Sequence, residues 1–319
     1  MSFIKTLWRF GRPHTIVGTT ISIFSLFLGG LYASKDSYDT CLYNNNLNEL
    51  QGCFVLFFLT WAACLLCNVF ITGLNQITDF EIDRINKPNL PLVDGSLTSA
   101  DAKKIVTIAI LGSLSLAFFL STKLGILISL ISFLGWGYSA NPIRFKRYHI
   151  WAAMAISLVR GPLVNLGFAM FFITRFKGIH INNWKDFYNT LVEISVGVWL
   201  IPLTVFISLF SIGIAWFKDL PDTKGDATHH INTLSVKRGQ AFALRLGGFL
   251  IALAYLSMIF WGLLWSYSML YFHMLGLAIF SYLWYRVDLN KPLSIKRFYM
   301  GYWMLFFTEY LFFIGWFIW

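Results

Sequence analysis

The chain has 319 residues, of which 57% are hydrophobic, 18% aromatic and only 13% charged. A water-soluble domain carries about a quarter charged residues, so this composition excludes a soluble globular protein. A net charge of +10 suggests a nucleic-acid partner, but the Lys and Arg sit in short stretches between long apolar runs, which excludes that reading as well.

In chain order, residues 13–34, 53–77, 105–122 and 124–143 contain no Asp, Glu, Lys or Arg. Each is as long as the roughly 18–20 residues a helix needs to cross a bilayer. Residues 150–174 form a similar run interrupted only by Arg160, and 194–217 is again uncharged. Residues 246–285 suffice for two spans with a break around Gly262–Ser266, and 298–319 carries only Glu309. Unpaired backbone groups cannot face lipid, and no ten-residue alternation marks a barrel. The expected fold is an all-α integral membrane protein of about nine transmembrane helices.

With the N-terminus in the cytoplasm, most of the 25 Lys and Arg fall in alternate loops on that side, as positive-inside topology requires. The basic excess is therefore topological. The first apolar run has spanning length and no small-residue cleavage site, so it reads as a retained helix. A bacterial inner or photosynthetic membrane is the expected location. Cys64 and Cys67, inside a span, read as packing residues. Cys41 and Cys53 share the opposite side, where a disulfide is allowed but not required.

Six of the 15 acids fall in two short cytoplasmic stretches. One runs from Asn75 through Asp79 and Asp83 to Arg84 and Pro88; the other runs from Lys218 and Asp219 through Asp222 to Asp226. Asp79 and Asp222 lie 143 residues apart, as do Asp83 and Asp226. This offset, echoed by Arg12-Pro13 and Arg160-Gly161-Pro162, suggests one domain over 1–319 with a duplicated four-helix unit. The halves are 1–149 and 150–297, followed by a ninth helix at 298–319.

Residues four apart share a helix face, so Asn75, Asp79 and Asp83 form a column of oxygen ligands, and Asp222 and Asp226 form a second pair. Hard oxygen donors of this kind suit Mg²⁺ completed by substrate phosphates. Lone acidic loops are usually just solvated surface; two at equivalent positions, on a side crowded with bases, point to a metal–diphosphate site. Glu81 points off the column and reads as an ordinary solvated acid. The candidate diphosphate ligands are Arg84, Tyr138, Arg144, Lys146, Arg160 and Lys218. Arg160 differs from the rest, because an arginine within a span is costly and functional by default. Glu309 reads as a charge that would neutralise such a partner.

These residues resemble the UbiA superfamily of intramembrane aromatic prenyltransferases. Its NxxxDxxxD motif is matched by Asn75, Asp79 and Asp83, and its second DxxxD by Asp222 and Asp226. The resemblance implies helices around a central cavity capped by these aspartates, with Mg²⁺ (two ions) and a prenyl diphosphate. The stretches Phe10–Thr19, Asn86–Leu92 and Lys218–Asp226 are similar to those of homogentisate prenyltransferases, with Arg12-Pro13-His14-Thr15 nearer the phytyl-transferring branch. That likeness implies ring prenylation of a homogentisate-like acceptor with loss of its carboxylate. Solanesyl transfer or another aromatic acceptor is the alternative. Arg12, His14 and Asp219 are the expected acceptor contacts. A secondary transporter is the reading from another class, but transporter sites lie near the bilayer midplane rather than at one face. The expected partners are the two substrates and the bilayer; no segment points to an obligate protein partner.

Overall fold

The computed structural model describes residues 3–34, 47–179, 183–193 and 196–318, and the statements below concern these. Their secondary structure is helical apart from one bridge pairing Tyr148 with Asn232. The helices are α1 (Phe3–Phe10), α2 (Pro13–Tyr32), α3 (Leu47–Thr78), α4 (Phe80–Asn86), α5 (Ser99–Leu120) and α6 (Thr122–Ser139). Next come α7 (His149–Leu158), a π-helical segment (Val159–Leu166), α8 (Gly167–Lys177), α9 (Trp184–Glu193) and α10 (Val196–Phe217). The chain ends with α11 (Thr223–Thr228), α12 (Leu234–Arg238), α13 (Gln240–Trp265), α14 (Tyr267–Tyr285) and α15 (Pro292–Ile318).

Short polar residues set the sharpest turns. Ser121 separates α5 from α6 and its side chain accepts from the Lys123 N–H; Ser266 does the same between α13 and α14, accepting from Met269. Both are extended residues whose hydroxyls cap the following helix. The break expected within 246–285 therefore falls at Ser266.

Seven helical stretches among the described residues are long and apolar enough to cross a membrane. The expected count of nine is not reached on that measure. α6 and α14 are unbroken helices of 18 and 19 residues, but Lys123 opens α6, and Tyr, Ser and His dilute α14. Cys53 is disulfide-bonded; Cys41 lies outside the described residues. Cys64 and Cys67 are free and buried.

Lipid is as apolar as a side chain, so helix association here depends on close fit and on satisfied polar groups. Interlocked aromatic rings supply the fit: Phe210 stacks on Tyr302 at 4.2 Å, and Tyr302 and Phe298 pack edge-on and near Phe217. One buried polar pair ties α14 to α15. His273 Nδ1 lies 2.6 Å from the Met269 carbonyl, so that nitrogen must carry a proton. Nε2 faces both Glu309 oxygens at 3.1 and 3.2 Å, so the imidazole bridges the Met269 carbonyl and the Glu309 carboxylate. Glu309 does not balance Arg160, although its place in an apolar run suggests so; His273 engages it. Glu309→Ala leaves a buried imidazole without its partner. The expected cost is about 2 kcal/mol, read as a drop of several degrees in the thermal midpoint in detergent, with substrate KM values unchanged. An unaltered midpoint would show that the pair contributes nothing to stability.

The ends that matter gather at one pole of the bundle: the start of α2, the ends of α3, α6 and α10, and the first turns of α7 and α15. α4 packs against α11 there.

Candidate active site

The aspartate column forms as its spacing predicts. α3 breaks at Asp79, yet the Asp79 N–H still donates to the Asn75 carbonyl at 3.0 Å and the Asp83 N–H to the Asp79 carbonyl at 2.8 Å, so the four-residue phase survives the kink. Across the pole, Asp222 precedes α11 and its carbonyl accepts from the Asp226 N–H at 3.1 Å. All four carboxylates are buried.

The two clusters are joined directly. Lys87, four residues after Asp83 and 3.6 Å from it, also pairs with Asp222. Asn86 donates to the Asp222 carbonyl at 3.0 Å and accepts from the Gly225 N–H at 3.1 Å. A Cβ on Gly225 would stand 2.5 Å from the Asn86 amide, so only glycine allows this contact. Asp79 is held by Lys146 and by Arg144, whose Nη2 lies 3.3 Å away. Asn75 donates to Asp79 at 2.9 Å and to Ser139 at 3.3 Å, and accepts from Arg12 at 3.0 Å. Lys218 pairs with Asp219 at 3.6 Å and donates to the Tyr138 hydroxyl.

Two of these bases sit on unusual backbone. Arg12 has φ 56° and Arg144 φ 43°, conformations that side-chain-bearing residues rarely adopt. Such outliers persist where surrounding contacts over-determine them, and here both guanidinium groups are held against the aspartate column.

Crowding shapes the electrostatics. Burial, then Asp219 and Asp222, push Asp226 up to about 7. Burial, with Asp222 adding, raises Asp219 to about 6 despite Lys218. Burial also raises Asp83, partly offset by Lys87. Lys146 falls to about 7, through burial first and then its cationic neighbours Lys218 and Arg12. One oxygen of Asp83 is buried and takes no hydrogen bond from the described residues. An orphaned carboxylate oxygen among hard donors fits a divalent cation such as Mg²⁺.

Beneath this polar mouth lies a cavity of about 250 Å³. Arg12, Asn75, Tyr138, Ser139 and Lys218 line its entrance, and Ile128, Ile131, Ile156 and Phe168 its apolar wall. α15 gives it one face through Tyr299, Trp303, Phe306 and Tyr310, spaced four, three and four apart as one helix stripe requires. Arg160 lines the cavity as well, its guanidinium 4.7 Å from the Trp303 ring centre and 5.5 Å from that of Phe306. His14 meets the same Trp303 edge-on at 4.8 Å.

The expected site residues are therefore not all together. Asp79, Asp83, Asp222, Asp226, Asn75, Arg12, Tyr138, Arg144, Lys146 and Lys218 converge on the mouth. Arg84 does not: it is exposed and pairs with Glu81 at 3.3 Å, a surface contact worth about 0.5 kcal/mol. Asp219, expected at the acceptor, sits with the aspartates, and Arg160 lies deeper than the bases of the mouth. Sequence reasoning missed Lys87, Asn86, Ser139 and the α15 stripe. Lys87 had a local signal, its four-residue spacing from Asp83; the stripe had its period.

The comparisons with known proteins agree with this geometry. Residues 20–308 match the UbiA prenyltransferase family. The chain is 38% identical over 317 residues to the homogentisate phytyltransferase of Synechocystis sp., covering 98% of this chain and 95% of that one. It is 35% identical to the probable homogentisate phytyltransferase 1, chloroplastic, of Oryza sativa subsp. japonica, over 97% of this chain and 72% of the relative. A UbiA homologue from Archaeoglobus fulgidus, solved with DMAPP and Mg²⁺, superposes with a TM-score of 0.60 at 16% identity, over 97% of this chain and 99% of that one.

Proposed function

The chain belongs to the UbiA prenyltransferase family and is an integral membrane prenyltransferase, and from that premise we propose that it transfers a prenyl group from its diphosphate to the aromatic ring of homogentisate, with loss of the acceptor's carboxylate as CO₂. One observation carries this reading: a mouth of interlocked acids and bases opens onto an apolar, aromatic-walled cavity. That arrangement suits a substrate with one strongly anionic end and one hydrocarbon end. Phytyl and geranylgeranyl are the proposed donors, since both relatives described above are named for phytyl transfer.

Asn75, Asp79, Asp83, Asp222 and Asp226 would hold Mg²⁺. When bound, the metal neutralises the diphosphate and draws charge onto the leaving group. The charge balance supports two ions. Asp79, Asp83, Asp219, Asp222 and Asp226 are matched in number by Arg12, Lys87, Arg144, Lys146 and Lys218, so the protein's own mouth is close to neutral. A diphosphate brings about three negative charges, which one divalent ion leaves uncompensated.

The chain's residues then divide the work. Lys87, Lys146 and Arg144 are released from their carboxylates toward the diphosphate oxygens. Lys218, oriented by Tyr138, lies where the mouth meets the cavity and favours departure of the diphosphate by charge already in place. The aromatic wall excludes water from the allylic cation and offers it ring faces. Of the expected acceptor contacts, His14 and Arg12 both line the cavity, Arg12 while donating to Asn75, whereas Asp219 pairs with Lys218.

Two structural expectations belong to the same proposal. The mouth is on the cytoplasmic side, where the positive-inside bias places it. The chain is a repeat of 1–149 and 150–297 followed by 298–319, supported by the packing of α4 from one half against α11 from the other.

Membranes containing the protein should prenylate labelled homogentisate with phytyl or geranylgeranyl diphosphate and release CO₂ from its carboxyl label. EDTA should stop this and Mg²⁺ restore it. Inactivity on homogentisate with every prenyl donor, alongside prenylation of 4-hydroxybenzoate, would overturn the acceptor assignment.

A further inference from the structure

Arg160 is a cation in a membrane-spanning stretch for which no described residue provides an anion. No described carboxylate pairs with it, and no described acceptor takes a hydrogen bond from its guanidinium. Glu309, an acid within α15, is one position from the cavity-lining Tyr310, but it turns to His273. An arginine so placed costs several kcal/mol unless something answers its charge. The aromatic rings of Trp303 and Phe306 answer it only in part.

The backbone that carries it is nevertheless closely held. Arg160 is the second residue of the π-helical segment; its backbone carbonyl accepts from Asn165 Nδ2 at 3.3 Å, and Asn165 accepts from the Tyr310 hydroxyl at 2.8 Å. Gly161 beside it has no Cβ, and one placed there would stand 2.0 Å from Ser208 Oγ, so the segment lies directly against α10. Segments of this kind recur at functional sites.

Its depth decides which anion it meets. Arg160 lies eleven residues into the stretch that starts at His149, and Trp303 eleven into α15, so both are about 16 Å below the pole by helix rise. The diphosphate has its own bases at the mouth. An aromatic acid in the cavity has only one charged group, a carboxylate, and a planar guanidinium binds a carboxylate through two parallel hydrogen bonds.

We propose that Arg160 binds the carboxylate of the aromatic acceptor, with Trp303 setting the guanidinium plane and His14 bordering the same ring, so that this residue selects acids over neutral phenols. The inference rests on the reading of the chain as a homogentisate prenyltransferase. It moves Arg160 from the diphosphate to the acceptor.

The test compares Arg160→Gln and Arg160→Lys with the parent protein in membranes. The KM for homogentisate should rise on the order of 100-fold in Arg160→Gln and less in Arg160→Lys, while the KM for the prenyl diphosphate stays within about threefold. The neutral amide of homogentisate, used as a competitive inhibitor, should bind the parent far more weakly than the acid does. In Arg160→Gln that preference should collapse toward unity. Because the preference is a ratio, it does not depend on how much variant folds. A rise confined to the donor's KM, with the acid-over-amide preference intact, would overturn the inference and return Arg160 to the diphosphate. If the parent protein ignores homogentisate, the functional reading fails first and this inference falls with it.

Discussion

Asp79→Asn and Asp222→Asn should each lower turnover by about a thousandfold or more, while Glu81→Gln stays within about twofold of the parent. The amides keep the shape but lose the charge that a divalent cation needs. Asp79 carries Lys146 and Arg144, and Asp222 carries Lys87, so each change also leaves buried bases without their acid. Structural loss and site loss are separated by titrating Mg²⁺. A variant that merely folds poorly keeps the parent's Mg²⁺ midpoint at reduced amplitude, whereas a damaged site shifts the midpoint upward. Glu81 is the internal control, an acid two residues from Asp79 that is exposed and pairs with Arg84. Near-parental turnover in either aspartate variant would remove the two-cluster mechanism.

Lys218→Met should lower kcat by several hundredfold and change the donor KM much less. Among the lysines of the mouth, Lys218 is the one that also lines the cavity, so it stands where the diphosphate must part from the prenyl carbon. Burial works against its charge, yet Tyr138 and Asp219 hold its pKa above the ordinary lysine value, so it remains cationic. A preplaced charge that matters most as the bond breaks acts on kcat rather than on binding; losing one such group typically costs about a hundred- to a thousandfold. Tyr138→Phe removes only the hydroxyl that orients the ammonium and should cost about tenfold. Steady-state kinetics with the donor varied at saturating acceptor would check both. A Lys218→Met variant altered in KM alone would reduce the residue to simple diphosphate binding.

Much of this site was legible because its chemistry is local. Asn75, Asp79 and Asp83 declare themselves through four-residue spacing, which holds even where the helix kinks, and Arg160 through a charge inside an apolar run. What the sequence could not give was the pairing across long separations. Lys87 reaches Asp222 over 135 residues, and nothing in either stretch names the other. The Glu309 assignment failed for a geometric reason. Adjacent helical residues point about 100° apart, so when Tyr310 faces the cavity its neighbour faces elsewhere. Its partner, His273, leaves no mark in the sequence because a histidine does not interrupt an uncharged run. Arg84 was misplaced through the same neglect of phase: it follows Asp83 directly, and one residue of rotation carries it out to solvent. α6 and α14 are long enough to span, but Lys123 in one and Tyr, Ser and His in the other make them less apolar than the seven spanning stretches.

The π-helical segment also bears on how insertions and deletions act here. Its wider turns take in more residues than an α-helix of equal length, so the segment fixes the angular register of everything that follows. Removing one residue between Val159 and Leu166 would let the stretch relax to ordinary α-helix without breaking the span. It would also remove the five-residue spacing by which Asn165 Nδ2 reaches the Arg160 carbonyl, and with it the local geometry that seats Asn165 against Tyr310 and the guanidinium over Trp303. A single-codon deletion here should thus be mild for membrane insertion and severe for acceptor choice, a separation that no substitution at the polar mouth would produce.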